Sequence, residues 1–294
     1  MAVQSHFFGV GSIVSWAEAG VGAVATQSLV EPAYGPRGLA LMRDGQSAPA
    51  ALDHLISEDE GDAVRQVAML DRGGRVAVHT GMRCIAHAGH ALGDQVSAQA
   101  NMMERDTVPR AMIRAYTESR GEPLAERMLA ALQAAEREGG DIRGRQSAAM
   151  VVVAGRATGN PVRDKPIDLR VEDHRDPVGE LRRLVALGRA YAHASAGDDL
   201  AGAGDMEGAL AEYETAHRSQ PDNLELAFWH GLALAGNGRE EEAVRMLRPL
   251  FESHPEWVEL MKRLPAAGLL PDDAELIARL AGTRAVSEPT PPTL

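Results

Sequence analysis

One cysteine in 294 residues, Cys84, leaves no intrachain disulfide and no all-cysteine zinc site. That is what a reducing compartment permits, and the expectation is a cytoplasmic protein of bacterial type. Basic charge is also short: 30 Lys and Arg stand against 42 Asp and Glu, a net charge of −12. Such a chain repels phosphate backbones and anionic lipid at long range, and no local basic patch offsets the repulsion, so no nucleic acid and no membrane is expected as a partner. No convincing spanning run exists either. The stretch from Phe7 to Val30 carries Glu18 as its only charge, yet no Lys or Arg precedes it and glycines and serines interrupt it. Buried strands explain it better than a leader or a membrane helix. Missing too are a Ser-His-Asp motif, a Gly-x-Ser-x-Gly elbow and a P-loop.

What is present is an ordinary globular composition, 45% hydrophobic and 24% charged, far from that of disordered chains. The length fits one well-buried domain and a smaller appendage. Up to Asp176, short β-like runs mix with amphipathic helices. The runs at 22–28, 67–71, 75–80, 95–101, 148–154 and 167–171 are rich in Val, Ala and Thr and bounded by Gly, Asp or Pro. Between two of them, Asp71-Arg72-Gly73-Gly74 reads as a hairpin turn. Apolar residues at three-and-four spacing predict helices at 37–44, 48–57, 107–119 and 123–138. The last is the clearest, with Leu124, Met128, Leu129, Leu132 and Ala135 on one face and Gly139-Gly140 as its stop. Helices set between groups of strands predict a layered α+β domain over 1–176.

From Pro177 to residue 284 the pattern is helical. Gly204, Glu207, Ala209 and Pro221 recur 34 residues later as Gly238, Glu241, Ala243 and Pro255. That is the tetratricopeptide period, in which small residues let paired helices pack closely. The second unit, 224–254, is the better match; residues 196–204 read as an insertion in the first. Because about three repeats are needed for independent stability, the tail is expected to lean on the first domain or on another subunit, and a homo-oligomer is expected. Residues 285–294, rich in Pro and Thr, are expected to be disordered.

Several polar clusters are candidates for chemistry. Gly20-Val-Gly22-Ala-Val-Ala25 fits a loose dinucleotide fingerprint, but a β-like run follows it where a helix should open, and no cofactor is expected. Cys84, His87 and His90, with His79 close by, are spaced like a small metal site. No fourth ligand has a typical partner spacing, so packing and hydrogen bonding are the expected roles and no metal is assigned. The segment Gly139-Gly-Asp141-Ile-Arg143-Gly144-Arg-Gln146-Ser147 runs directly into an apolar strand. It places Asp141, Arg143 and Gln146 at a strand mouth, where they either hold a substrate or clamp the turn. Ser5, Gln27, Arg65, Gln66, Thr80 and Asn101 interrupt apolar runs and need hydrogen-bond partners if buried.

Read together, Ser5-His-Phe-Phe-Gly-Val-Gly11-Ser, Gly20-Val-Gly-Ala-Val-Ala-Thr-Gln27-Ser, Tyr34-Gly-Pro-Arg-Gly-Leu39, Arg65-Gln66, His79-Thr80-Gly81, Ala98-Gln-Ala-Asn101-Met-Met and the segment from Gly139 to Ser147 resemble the DUF1028 family over roughly residues 1–185. The resemblance implies an N-terminal-nucleophile (Ntn) hydrolase-like fold, a four-layer αββα sandwich, here followed by the all-α tetratricopeptide-like (TPR-like) tail. Ntn enzymes use the first residue of the mature chain as nucleophile and its α-amine as base. By that resemblance Met1-Ala2-Val3-Gln4-Ser5 matches the second family strand, so the first strand and its threonine are not in the chain as given. The implied activity is hydrolysis of a small amide or related C–N bond in a small-molecule substrate. Ser5, Gln27, Asn101, Asp141 and Arg143 would line the pocket, Asn101 or Gln27 donating to an oxyanion and Asp141 with Arg143 orienting substrate. The alternative is a non-catalytic binding or scaffold protein that presents its TPR-like helices to a protein partner, with Phe228, Trp229 and Trp257 as contact candidates.

Overall fold

The computed structural model describes residues 1–282; the segment expected to be disordered, 285–294, lies outside the described residues. The chain divides into two units, Met1–Val185 and a second that begins at Ala186. The first is a mixed α/β unit, the second all helix.

In chain order the first unit contains β1 (Ala2–Ser5), α1 (Gly11–Val14), β2 (Ser15–Glu18), β3 (Gly22–Ser28), α2 (Tyr34–Arg43), α3 (Ala48–Glu58), β4 (Arg65–Asp71), β5 (Val76–Thr80), β6 (Gly89–Gly93) and β7 (Val96–Ala100). There follow α4 (Val108–Glu118), α5 (Leu124–Arg137), β8 (Ser147–Val152), α6 (Pro161–Asp164), β9 (Ile167–Val171) and α7 (Pro177–Gly202), which continues into the second unit. Every strand pairing is antiparallel: one sheet has the order β2-β3-β4-β5, a second β1-β8-β9, and β6-β7 is a separate hairpin.

Alternation along the strands distributes their side chains between two sides. From β3 and β4, Val24, Val67 and Met69 pack with Tyr34, Leu39, Met42, Leu52 and Leu55 of α2 and α3. The intervening Ala25 and Ala68 turn the other way, into a cluster with Val10, Val14 and Val3. The second sheet behaves alike, Ala148, Met150 and Val171 packing with Leu129 and Leu132 of α5 and Leu181 of α7. Each fully buried side chain of this size contributes roughly 1.5–3 kcal/mol of hydrophobic stabilisation. Gly35 lets α2 approach its sheet: a Cβ there would lie 2.2 Å from Trp16 Cγ.

The hairpin turn at 71–74 is built on Asp71. Its Oδ1 accepts from the N–H groups of Gly73 (2.8 Å) and Arg75 (3.2 Å), and its Oδ2 accepts from Ala48 N–H (2.9 Å) and Arg75 Nε (2.8 Å). Gly74 takes the left-handed φ of +82° that the turn requires. Four elements carry no signal among the expected ones: α1, β2, β6 and α6. Each has only four or five residues, and β6 is bounded by glycine at both ends.

In the second unit α8 (Met206–Ser219), α9 (Leu224–Gly236), α10 (Glu240–Ser253), α11 (Glu256–Met261) and α12 (Ala274–Leu280) follow the end of α7. The helices α8 and α10 are both 14 residues long and begin 34 residues apart. Residues 196–202, read from the sequence as part of an insertion, form the final turns of α7. This unit has its own core around Phe228, Leu247, Met261 and Leu280. Phe228 is fully buried with Trp257 packed edge-on at 4.9 Å, and Trp229 also packs against this cluster, so these rings serve the core. Among the described residues no helix is long and apolar enough to cross a membrane.

Candidate functional site

Gln27, Gln66 and Thr80 stand directly opposite one another across β3, β4 and β5. Two residues along each strand are Ala25, Ala68 and Val78, so period two puts the three polar side chains on the face turned away from α2 and α3. Gln66 is fully buried. Its Nε2 donates to Ala100 O at 3.0 Å, Gly89 O at 3.1 Å and Thr80 Oγ1 at 3.0 Å. Two of those acceptors are backbone carbonyls, which cannot donate, so the amide orientation of Gln66 is fixed by its surroundings. Its Oε1 must then accept, and it does so from Gln27 Nε2 at 2.7 Å and from Asn101 Nδ2 at 3.1 Å. Each of those two amides keeps a second N–H.

Both border a cavity of about 360 Å³ within the first unit, walled by β1, β3, β7, α4, α5 and the turn before β8. All five of the residues expected to form a site, Ser5, Gln27, Asn101, Asp141 and Arg143, line it. Arg143 forks onto Asp141, Nε to Oδ1 at 3.0 Å and a terminal nitrogen to Oδ2 at 2.7 Å, and the same nitrogen reaches Ser5 Oγ at 3.3 Å. Burial alone would push the Asp141 carboxyl up. Hydrogen bonds from the Arg143 side chain and from the N–H groups of Arg143 and His6 outweigh it and hold the group below the usual carboxylate range. Thus the pair clamps the turn, one of the two roles the sequence left open, and it also lines the cavity. Behind it Ser147, fully buried, donates to Phe7 O and accepts from Val10 N–H, tying the segment after β1 to β8.

Backbone strain gathers at the same place. Among the described residues the non-glycine positions at positive φ are Ser28 (+71°), Gln95 (+56°) and Met102 (+57°), and all three line the cavity. Ser28 follows Gln27 and Met102 follows Asn101, so the chain bends sharply just after each amide donor. Left-handed residues other than glycine cost on the order of 1 kcal/mol and cluster at ligand-binding positions. Met102 is held by its N–H to Ile85 O at 3.0 Å and its carbonyl to Ile142 N–H at 2.9 Å. The Met1 α-amine, on the same wall, donates to Val151 O at 2.7 Å, and burial lowers its pKa to about 6.

Among the described residues no histidine lines this cavity. Nor do Cys84, His79 and His90 converge: Cys84 Sγ donates to Arg65 O at 3.2 Å, His79 Nε2 meets Asp62 O at 2.8 Å, and His90 Nδ1 meets Thr80 Oγ1 at 2.9 Å. Among the described residues no group of three His, Cys, Asp or Glu side chains is placed to hold a metal ion. The glycine string at 20–25 leads into β3, a strand, where a dinucleotide fold needs a helix.

A family model matches residues 1–181, more than half of the chain, and that range contains every residue of the cavity. The chain belongs to DUF1028, a family of unknown function. Among solved structures it is similar to protein SPO2555 from Silicibacter pomeroyi, also of DUF1028, at 31% identity and a TM-score of 0.56, over 63% of this chain and 77% of that one. No curated protein matches. Some glycines of the DUF1028 portion serve close packing, as at Gly35, and others take the positive φ of turns, as at Gly74. Its polar ones, Gln27, Gln66, Thr80, Asn101, Asp141 and Ser147, form the two networks on and behind the cavity wall. Gln66, central to the first, was legible in the sequence only as a polar residue in need of a partner.

Proposed function

We propose that this DUF1028 protein is an Ntn-type hydrolase of a small amide or related C–N bond. The observation that carries the reading is the pair of amides, Gln27 and Asn101, fixed donor-first on one buried oxygen at the wall of a cavity that also holds the Asp141–Arg143 pair. Each amide keeps one N–H beyond the one given to Gln66, and donors held beforehand on a cavity wall suit the oxygen of a carbonyl that becomes an oxyanion during acyl transfer. With no imidazole on the cavity wall, a serine–histidine mechanism has no base there. Ntn chemistry supplies one from the α-amine of the nucleophilic residue itself, which attacks the carbonyl, forms an acyl intermediate and releases the amine before water completes hydrolysis. Two antiparallel sheets, each with helices on one face, support the Ntn-type sandwich as the fold behind this chemistry.

The test is to establish the N-terminal residue of the protein made from its native gene, by intact mass and Edman chemistry, and then to assay that protein against a panel of small amides. A leading Thr, Ser or Cys with amide turnover that falls at least tenfold in Asn101→Ala supports the proposal. A native start at Met1 or Ala2 with no turnover refutes it. The second reading, a scaffold protein with TPR-like helices, is favoured by the 34-residue spacing of α8 and α10 and by Gly231, where a Cβ would lie 2.7 Å from Leu247. Capture of a defined peptide by the second unit, in a protein without hydrolytic activity, would support it.

A further inference from the structure

The charge and lining of the cavity narrow its ligand further. Among the described residues its wall carries two charged side chains, Asp141 and Arg143, and these are paired to each other through two hydrogen bonds. An anionic ligand meets an arginine already neutralised and a carboxylate beside it. A cationic ligand finds no carboxylate free. Either would give up its hydration for little return.

The remaining wall has two characters. One side is built of neutral amides and hydroxyls, Gln4, Gln27, Gln99, Asn101, Ser5 and Ser28. Another part, from α4 and α5, is apolar: Met112, Ile113 and Tyr116 of α4 and Leu124, Met128 and Leu132 of α5 line it. Methionine is frequent in the lining: Met1, Met102, Met103, Met112 and Met128 border the cavity, the last two on α4 and α5. Unbranched, polarisable thioethers mould to flexible chains without specifying one shape. The expected single apolar face of α5 is therefore divided. Leu129 is fully buried, while Leu124, Met128 and Ala135 border the cavity.

We infer that the cavity binds an uncharged carboxamide with an aliphatic acyl chain, its carbonyl oxygen on Gln27 and Asn101 and its chain along the apolar wall of α4 and α5, which includes Met112 and Met128. As the identity of the substrate this rests on the hydrolase reading; as a binding site it does not. Amino-acid-like amides, which carry full charges next to the carbonyl, fit the wall poorly.

The experiment is calorimetric titration of the full chain with butanamide, hexanamide and octanamide, alongside carboxylates and alkylamines of the same lengths at pH 7.5. The expected result is a dissociation constant that tightens about fourfold for each methylene buried. Carboxylates and ammonium ions should bind at least tenfold more weakly. Asn101→Ala should weaken every amide, and Met128→Ala should weaken octanamide more than butanamide; Gln27→Ala serves in place of an Asn101 variant that fails to fold by circular dichroism. Equal or tighter binding of the charged series, no dependence on chain length, no effect of the variants, or no binding at all overturns the inference. Ammonia release separates the two claims. Selective amide binding without turnover, by protein with its native N-terminus, sinks the hydrolase and keeps this site. Faster turnover of charged amides than of neutral ones keeps the hydrolase and sinks this inference.

Discussion

Replacing Gln66 by methionine keeps side-chain length and removes the amide whose two N–H groups are shared among three acceptors and whose oxygen accepts from two donors. The consequences differ among partners. Gln27, Asn101 and Thr80 are side chains, and the first two border a cavity where they can turn to water. Gly89 O and Ala100 O are backbone acceptors that cannot leave, and they lose a donor inside a region from which Gln66 itself is fully shielded. Buried polar groups left unsatisfied cost about 1–3 kcal/mol each, while the more apolar side chain returns a fraction of that. The expected net loss is about 3 kcal/mol, roughly 6–12 °C in Tm for a unit of this size. Tryptophans allow the first unit to be followed alone, because Trp16 lies in it and Trp229 and Trp257 lie in the second. In a Trp229→Phe, Trp257→Phe background, urea unfolding read by Trp16 emission gives the stability of Gln66→Met. A double-mutant cycle with Gln27→Ala isolates the contact between the two amides, expected at about 1 kcal/mol. A loss below about 1 kcal/mol for Gln66→Met, with no coupling to Gln27, would refute the argument that one buried amide orients the other two.

Three further outcomes are expected. Gly35→Ala sets a Cβ against the Trp16 ring, and overpacking of this kind should cost about 1–3 kcal/mol and shift Trp16 emission; unchanged emission and stability would show that α2 moves aside freely. Asp141→Asn removes the partner of Arg143, half exposed, and should cost roughly 1–3 kcal/mol at neutral pH. Because the folded pKa of Asp141 is depressed, its contribution is present above the usual carboxylate range and is lost as pH falls through the folded value; a difference between wild type and variant that persists in strong acid counts against the pairing. In the second unit, burial, helped by the neighbouring His217 and Arg239, lowers the His230 pKa from 6.5 to about 4, against weaker influences from Glu214 and Glu242. The unfolded chain takes up that proton first, so the stability of this unit should be full above pH 6.5 and fall by about 3 kcal/mol towards pH 4. Urea unfolding read by Trp229 and Trp257 in a Trp16→Phe background checks it, and a flat profile over that range rules out a buried neutral His230.

Periodicity was most informative where an element had one dominant environment. The strands β3, β4, β8 and β9 and the helices α3 to α5 lie within two or three residues of where pattern and punctuation put them, because their alternation is bought by a core on at least one side. By contrast β6, Gly-His-Ala-Leu-Gly, has nothing in composition to mark a strand and is held by pairing with β7, a tertiary fact. The short helix α1 and the strand β2 fall in a run that reads as one apolar stretch, and the chain divides it to fit against β8 and β3. The polar candidates fared differently. Sequence marked Asp141 and Arg143 by the glycines around them, and Gln27 and Asn101 by apolar neighbours. Pattern alone offered no means of grouping residues 135 positions apart, as His6 and Asp141 are; the likeness to DUF1028 was what put Ser5 with Asp141 and Arg143.

What groups them is the arithmetic of pairing. Because Gln66 stands beside Val67, a one-residue step decides whether its amide faces α2 and α3 or the opposite side, and Val67 already occupies the helical side. Opposite Gln66 the register places Gln27 on one neighbour and Thr80 on the other, and the β6–β7 hairpin then supplies two carbonyls. Those carbonyls leave Gln66 one orientation, and that orientation leaves Gln27 and Asn101 one role, as donors. The donor pair at the cavity is therefore a consequence of strand register and backbone acceptors, two of the least mutable features of a fold. Altering it by substitution at Gln27 or Asn101 should be easy, whereas reversing it into an acceptor pair would require a different residue at Gln66 and a different partner for Gly89 O and Ala100 O.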